Sequence, residues 1–327
     1  MSVLLEVENL VVRYPAMGRV RAALRRQERE FDAVAGVSFS IEAGQTLGLV
    51  GESGSGKSTV ARTLMGLKRA GSGSIRFDGR DITRAGAQDY ARLRREIAMM
   101  WQDPVGSLSP RLTVGSLVTE PLRIHGKTAD MAAEAKRLLE MVGLPEHFAG
   151  RFPHQLSGGQ ARRVGVARAL ALDPRLIIAD EPTAGLDMSV QAEVLNLLAE
   201  MQGRLGIAIL VITHNLNVVR HITDRTAIMY LGRFVETGPT EQIFQAPRHP
   251  YTGALLSANP EPDPDAARAR ITLTGEMPSP RNRPSGCEFH GRCLRAQPQC
   301  SATVPEFSSA GDQHAFTCHF LVRNGAG

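Results

Sequence analysis

Residues 51–58 read GESGSGKS and follow directly on the apolar run TLGLV at 46–50. No other stretch restricts the fold of this chain so strongly. The spacing G-x-x-x-x-G-K-S asks for a buried strand, a tight loop, and a helix that starts at the lysine. Gly54 and Gly56 lack a Cβ, so the backbone can curl until successive N–H groups point at one anion. The helix start adds its partial positive charge. Lys57 is then placed to reach the β- and γ-phosphates of a nucleotide, and the Ser58 hydroxyl to ligate Mg²⁺. At average residue usage the pattern arises by chance in about one chain of this length in a hundred. A strand before it and a helix after it remove most of that chance.

A second buried strand closes on two acids in LIIADEPTAGLD, residues 176–187. Asp180 is expected near the Mg²⁺, and Glu181 is placed to orient or deprotonate an attacking water. Alone, the segment would read equally well as a strand capped by a solvated acidic turn. It is not alone, because LSGGQ stands at 156–160. Ser157 and the paired glycines form a second anion-binding turn at a helix start. One nucleotide does not need two cradles from one subunit, so the second is expected to serve a neighbour's nucleotide across a dimer interface.

With these segments in hand, the chain resembles the nucleotide-binding subunits of ABC transporters. GESGSGKS matches the Walker A loop, WQDP (101–104) the Q-loop, LSGGQ the signature, IIADE the Walker B, AGLD (184–187) the D-loop and ITHN (212–215) the H-loop. The resemblance implies that ATP is bound by Gly51, Ser53, Gly54, Ser55, Gly56, Lys57, Ser58 and Thr59, with Tyr14 of VVRYP stacked on adenine. It implies that Gln102 joins Ser58 and Asp180 at Mg²⁺ while sensing the membrane partner, and that His214 contacts the γ-phosphate and Glu181. Ser157, Gly158, Gly159, Gln160 and Asp187 would act in trans, on the opposing subunit's nucleotide. Trp101 and Ala161 depart from the commonest pattern, at positions that are not catalytic.

The implied fold is α/β: a parallel core sheet, an antiparallel β-subdomain and a helical subdomain at about 104–165, together filling residues 1–240. LLEVENLVV and VAGVSFSIEAGQTLGLV alternate as strands do, with 19–32 inserted between them. AEAKRLLEMVGL and MSVQAEVLNLLAEMQGRLG have helical apolar spacing, and RTAIMYLGRFVETG reads as a hairpin turning near Gly232. One Walker A and one signature make the chain half of a functional ATPase. The segment HPYTGALLSANP (249–260) resembles the mark of dipeptide, oligopeptide and nickel importers, and the text around the loops is closer to their F-type than their D-type subunit. Residues 241–327 are accordingly expected to form a small extension, entered through the Pro/Asp-rich NPEPDPDAARAR.

That extension holds all four cysteines of the 327 residues, spaced C-x₅-C-x₆-C-x₁₇-C at Cys287, Cys293, Cys300 and Cys318. No C-x₂₋₄-C knuckle and no ferredoxin spacing is present, so spacing names no metal. Four thiolates suit zinc or an iron–sulfur cluster. The resemblance favours a structural [4Fe–4S] cluster, since members of this import group carry a similar tail, with Zn²⁺ as the alternative. His290, His314 and His319 could substitute as ligands but are expected at the surface.

Composition limits the remaining choices. The longest apolar runs, such as AILVI at 208–212, fall far short of the ~20 residues that span a bilayer. The N-terminus lacks a basic start and a small-residue cleavage site. Of the net charge of +5, much sits in residues 19–30, whose five arginines are partly neutralised by Glu28 and Glu30. A solvated segment is the expected reading, with no nucleic-acid partner. The importer reading then implies a second ATPase subunit (a D-type paralogue or a copy of this chain), two permeases, and a substrate-binding protein acting through them. It places the chain peripherally on the cytoplasmic face of the plasma membrane. Peptides are the expected cargo, with nickel chelates, opines or glutathione as alternatives. An exporter would lack the HPYTGALLSANP segment, and a soluble ABC protein would show two ATPase halves or long coiled coils.

Overall fold

The structure is a computed structural model that describes residues 2–16, 30–101, 103, 106–127, 130–258, 271–273, 275–309 and 313–320. In chain order its strands are β1 (Val3–Pro15), β2 (Glu30–Glu42), β3 (Thr46–Val50), β4 (Ser72–Phe77), β5 (Arg80–Asp81), β6 (Ile97–Met100), β7 (Leu176–Asp180), β8 (Ala208–Thr213), β9 (Arg225–Tyr230), β10 (Arg233–Pro239), β11 (Ser308–Ser309) and β12 (Ala315–Phe316). Two compact units form. One contains residues 1–4, Ile41–Thr46 and Ala85–Ile212; the other contains Leu5–Ser40, Leu47–Arg84 and everything from Thr213 on.

In the first unit β6, β7 and β8 run parallel, Ile97 facing Leu176 and Asp180 facing Ile212. Their residues are apolar almost without interruption because parallel strands are covered on both faces. The helices Val114–Ile124, Met131–Met141 and Gly158–Leu170 pack on one another. Thr113 and Asp130 cap the first two by accepting backbone N–H bonds. The third carries Val166, Ala167 and Leu170 on its buried face to its end. The amphipathic run after Asp187 becomes the helix Met188–Leu205, and Gly206 at φ 63° stops it.

In the second unit β2, β1, β4 and β5 make an antiparallel sheet in that order. Residues 17–29 of the arginine-rich insertion lie outside the described residues. The following strand starts before the insertion's expected end at 32, because Glu30, Phe31 and Asp32 already belong to β2. Asp32 is held there by Arg13 of β1, whose Nε donates to its carboxylate at 3.0 Å. β3 pairs in parallel with β9, and β9 turns back into β10 through Leu231 (φ 45°) and Gly232 (φ 82°), the expected hairpin. β12 then adds to β10, and β11 to β12.

The segment beyond residue 240 is not hung on the outside of this unit. Val50 at the end of β3 and Ile228, Tyr230 and Val235 of the hairpin share one hydrophobic cluster with Tyr251, Leu256 and Phe289. The linker 259–270 lies outside the described residues. No described helix is long and apolar enough to cross a membrane.

Candidate functional site

The phosphate loop leaves the fully buried β3 and ends in the helix Lys57–Leu64. Gly56 precedes that helix at φ 110°, and a Cβ there would stand 2.6 Å from the Ala33 carbonyl oxygen. Only glycine meets both demands. The Lys57 ammonium is buried and folds across the loop, donating to Gly51 O at 2.6 Å, Glu52 O at 2.9 Å and Ser55 Oγ at 3.4 Å. A positive charge is thereby fixed inside a ring of backbone. Ser55 O in turn accepts from Gly232 N at 2.8 Å, tying the loop to the β9–β10 turn.

In the other unit, Asp180 ends β7 almost wholly buried. Glu181 follows with φ 52°, a left-handed backbone unusual for a side chain of its kind, and its N–H donates to Ile212 O at 2.8 Å. The turn after it is gripped by Arg162. This buried guanidinium donates to the Pro182 and Ala184 carbonyls and reaches Glu181 O at 3.4 Å. Burial pulls the Arg162 guanidinium below its ordinary value, with nearby Asp103 opposing. Nothing in the sequence analysis marked this residue. Its only signal was an arginine just past the signature, on the face that turned out buried.

Ser157 caps the helix Gly158–Leu170: its Oγ accepts from Gln160 N at 3.3 Å, while Gln160 Oε1 accepts from Ser157 N at 3.1 Å. A hydroxyl that accepts in the cap still has its own hydrogen to donate outward. At Gly159 a Cβ would come within 2.7 Å of Val190 on the neighbouring helix, so this glycine is required for close packing as well. Asp187, expected as a link between sites, is also a helix cap, its carboxylate accepting from Val190 N and Ser189 Oγ. The Val190 N–H, with Ser189, holds that carboxyl below the usual range.

His214 directly follows β8, and the next residue, Asn215, caps the helix Leu216–Ile222. Gln102 lies outside the described residues; its neighbour Trp101 is exposed. The Tyr14 ring lies 6.2 Å from Phe31 in a stacked pair, with the Lys68 ammonium 4.0 Å from its centroid. The structure thus gathers the phosphate loop, Tyr14 and His214 in one unit, and Asp180, Glu181, the signature and Asp187 in the other.

The extension is anchored by a carboxylate that the sequence did not flag. Glu236 is fully buried and accepts from Arg248 N at 2.7 Å, His249 N at 2.9 Å and the His314 ring at 2.6 Å. His314 is therefore a core residue, contrary to the surface position expected for it, because it partners this buried carboxylate. His249 is also buried, which pulls it down to about 4, and its Nδ1 accepts from Tyr251 N at the start of the helix Pro250–Ser257.

All four cysteines are free thiols and line one small pocket of about 10 Å³ beside Phe289, His290 and Phe320. Among the described residues, no group of three or more His, Cys, Asp or Glu is arranged to hold a metal ion. Burial pushes the Cys287 thiol up to about 11 and raises Cys293 and Cys318, and the neighbouring cysteines add to each rise. The four cysteines are donors of the soft type, and His249, His290 and His319 line the same pocket. His290 and His319 engage backbone oxygens, those of Cys287 and Thr303.

Comparison with known proteins gives two family matches: "ABC transporter" over residues 34–184 and "Oligopeptide/dipeptide transporter, C-terminal region" over 235–300. The oligopeptide transport ATP-binding protein AppF of Bacillus subtilis is 44% identical over 322 residues, 97% of each chain. OppF of Salmonella typhimurium is 44% identical over 97% of this chain and 96% of its own. A putative peptide import ATP-binding protein of Brucella ovis is 47% identical over 86% of this chain and 90% of its own. Among solved structures, a post-hydrolysis dimer of an ATP-binding cassette bound to ADP and phosphate has TM-score 0.63 and 30% identity, covering 72% of this chain and 99% of that one. The cbiO1 subunit of a Clostridium perfringens ABC transporter complex has TM-score 0.64 and 29% identity, over 75% and 92%.

Proposed function

Because the chain belongs to the ABC transporter family, among its oligopeptide transport ATP-binding subunits, we propose that it hydrolyses ATP to drive a peptide importer. The observation that carries this reading is the shared core of Val50, Tyr251 and Phe289, which makes the ATP loop and the importer-type extension one folded unit. Residues 1–240 serve as the ATPase and 241–327 as the importer-specific extension. The chain works from the cytoplasmic face of the plasma membrane on two permeases, with a D-type paralogue completing the ATPase pair and a binding protein delivering peptide.

In the proposed mechanism Tyr14 stacks on adenine. The N–H groups and side chains of Gly51, Ser53, Gly54, Ser55, Gly56, Lys57, Ser58 and Thr59 hold the phosphates, with the Lys57 charge already fixed inside the loop. Ser58, Asp180 and Gln102 would hold Mg²⁺, which when bound would supply positive charge beside the phosphate oxygens. Glu181 orients and deprotonates the attacking water, and His214 stabilises the γ-phosphate. Ser157, Gly158, Gly159, Gln160 and Asp187 act on the opposing subunit's nucleotide. The Ser157 hydroxyl, an acceptor in the cap, keeps its own hydrogen for donation, which supports that role. Reconstituted in vesicles with its permeases and paralogue, the chain is expected to hydrolyse ATP several-fold faster once peptide-loaded binding protein is added. Stimulation by a nickel chelate but by no peptide would overturn the cargo assignment.

Cys287, Cys293, Cys300 and Cys318 are proposed to hold a [4Fe–4S] cluster that cross-links a loop-rich segment with little core of its own. The convergence of four sulfurs on one pocket supports this. Anaerobically purified protein is expected to be brown, with about four irons and four sulfides per chain. One zinc without colour would replace the cluster by Zn²⁺, and no metal would remove the assignment.

A further inference from the structure

Glu52, the second residue of the phosphate loop, is held at every polar group. Its carbonyl accepts from Lys57 Nζ at 2.9 Å and from Ser55 N at 3.2 Å. Its N–H donates to the buried Tyr251 hydroxyl at 3.0 Å. Its carboxylate receives Arg292 Nη1, at 3.0 Å to one oxygen and 3.2 Å to the other. The last two partners come from the extension, 199 and 240 residues away. Arg292 is buried and sits in the short turn His290–Arg292 between Cys287 and Cys293. That turn is pinned by Cys287 N to Cys300 O at 2.7 Å and Arg292 N to Phe289 O at 3.0 Å. Tyr251 is fixed by ring contacts with Tyr230 and Phe289, 4.9 and 5.4 Å between centroids. At Gly54, where a Cβ would stand, the Met277 methyl is 3.2 Å away.

A carboxylate in a loop built to receive three phosphates is an electrostatic liability. Its repulsion of a polyanion is offset only if a cation stays beside it, and a partly buried setting makes that cation matter more than it would in water. We infer that Arg292 and Tyr251 are positioning residues for the ATP loop: the cysteine-bearing segment neutralises Glu52 through Arg292 and aims its backbone through Tyr251, setting the affinity for ATP. This rests on the ATP-binding reading of residues 51–58. It assigns the extension a task in nucleotide binding, 240 residues along the chain from the loop it serves.

The test is equilibrium binding of a fluorescent ATP analogue with Mg²⁺ to the full chain. Arg292→Met should raise Kd about tenfold, the effect of one charged hydrogen bond, and should raise KM more than it lowers kcat. Glu52→Gln removes the charge that needed neutralising. The double variant Arg292→Met/Glu52→Gln should therefore bind severalfold tighter than Arg292→Met alone, a rescue that simple loss of packing would not produce. Arg292→Lys, which keeps the charge, should lie between the native chain and Arg292→Met. Should the methionine variant not fold, Arg292→Lys with and without Glu52→Gln carries the same comparison. Unchanged Kd on losing Arg292, or a double variant as weak as the single one, would overturn the inference. Failure of the native chain to bind the analogue would instead overturn the ATP reading itself.

Discussion

Glu181→Gln is expected to bind ATP as the native chain does while turnover falls by about a hundredfold or more, the scale of a lost general base. The substitution keeps size and most hydrogen bonding but removes the carboxylate proposed to take the water's proton. The backbone around it should be undisturbed, because Glu181 keeps its left-handed φ of 52° and its N–H bond to Ile212 O whatever stands at the end of the side chain. ATP that binds without being cleaved should hold two ATPase subunits together. Size-exclusion chromatography with and without Mg-ATP, run beside a phosphate-release assay, reads both effects. Normal turnover in this variant would end the assignment of Glu181 as the base.

Arg162→Met is expected to cost stability and turnover together. Its guanidinium is the charged donor to the Pro182 and Ala184 carbonyls within the first unit. Methionine fills the space without a donor and leaves those carbonyls buried and unsatisfied, at about 3 kcal/mol. Melting should move down by on the order of 5–10 °C. Because Glu181 begins the same turn, a loosened turn also misplaces this proposed base, and kcat should fall about tenfold or more. Arg162→Lys should recover part of the melting temperature and little of the rate, since one ammonium cannot span two carbonyls as a planar fork does. Unchanged melting and rate would show that the turn holds itself.

What could be read from the sequence and what could not divides along a physical line. GESGSGKS, the helix after Asp187 and the hairpin at Gly232 were legible because each is encoded by neighbours: glycine where φ is positive, apolar residues at helical or alternating spacing. Arg162, Arg292 and Glu236 were not, because each acts through a contact 20 to 240 residues away that leaves no local period. The misreading of His314 has the same origin: its partner on β10 lies 78 residues upstream, whereas the cysteines that drew attention to it are close in sequence. The cysteines themselves were legible as a group without their spacing naming a metal.

The burial of Glu236 bears on how a chain like this could have been assembled. Its carboxylate sits on β10, at the start of the stretch matching the oligopeptide/dipeptide transporter C-terminal region, and its donors are Arg248, His249 and His314, all beyond residue 240. A chain ending at that strand would keep a charge in its interior with these donors missing, and would bare Tyr230 and Val235 besides. Shortening the chain at that strand would thus strip a buried carboxylate of its donors, and a truncated form would need an uncharged residue at 236 to keep β10 in its interior.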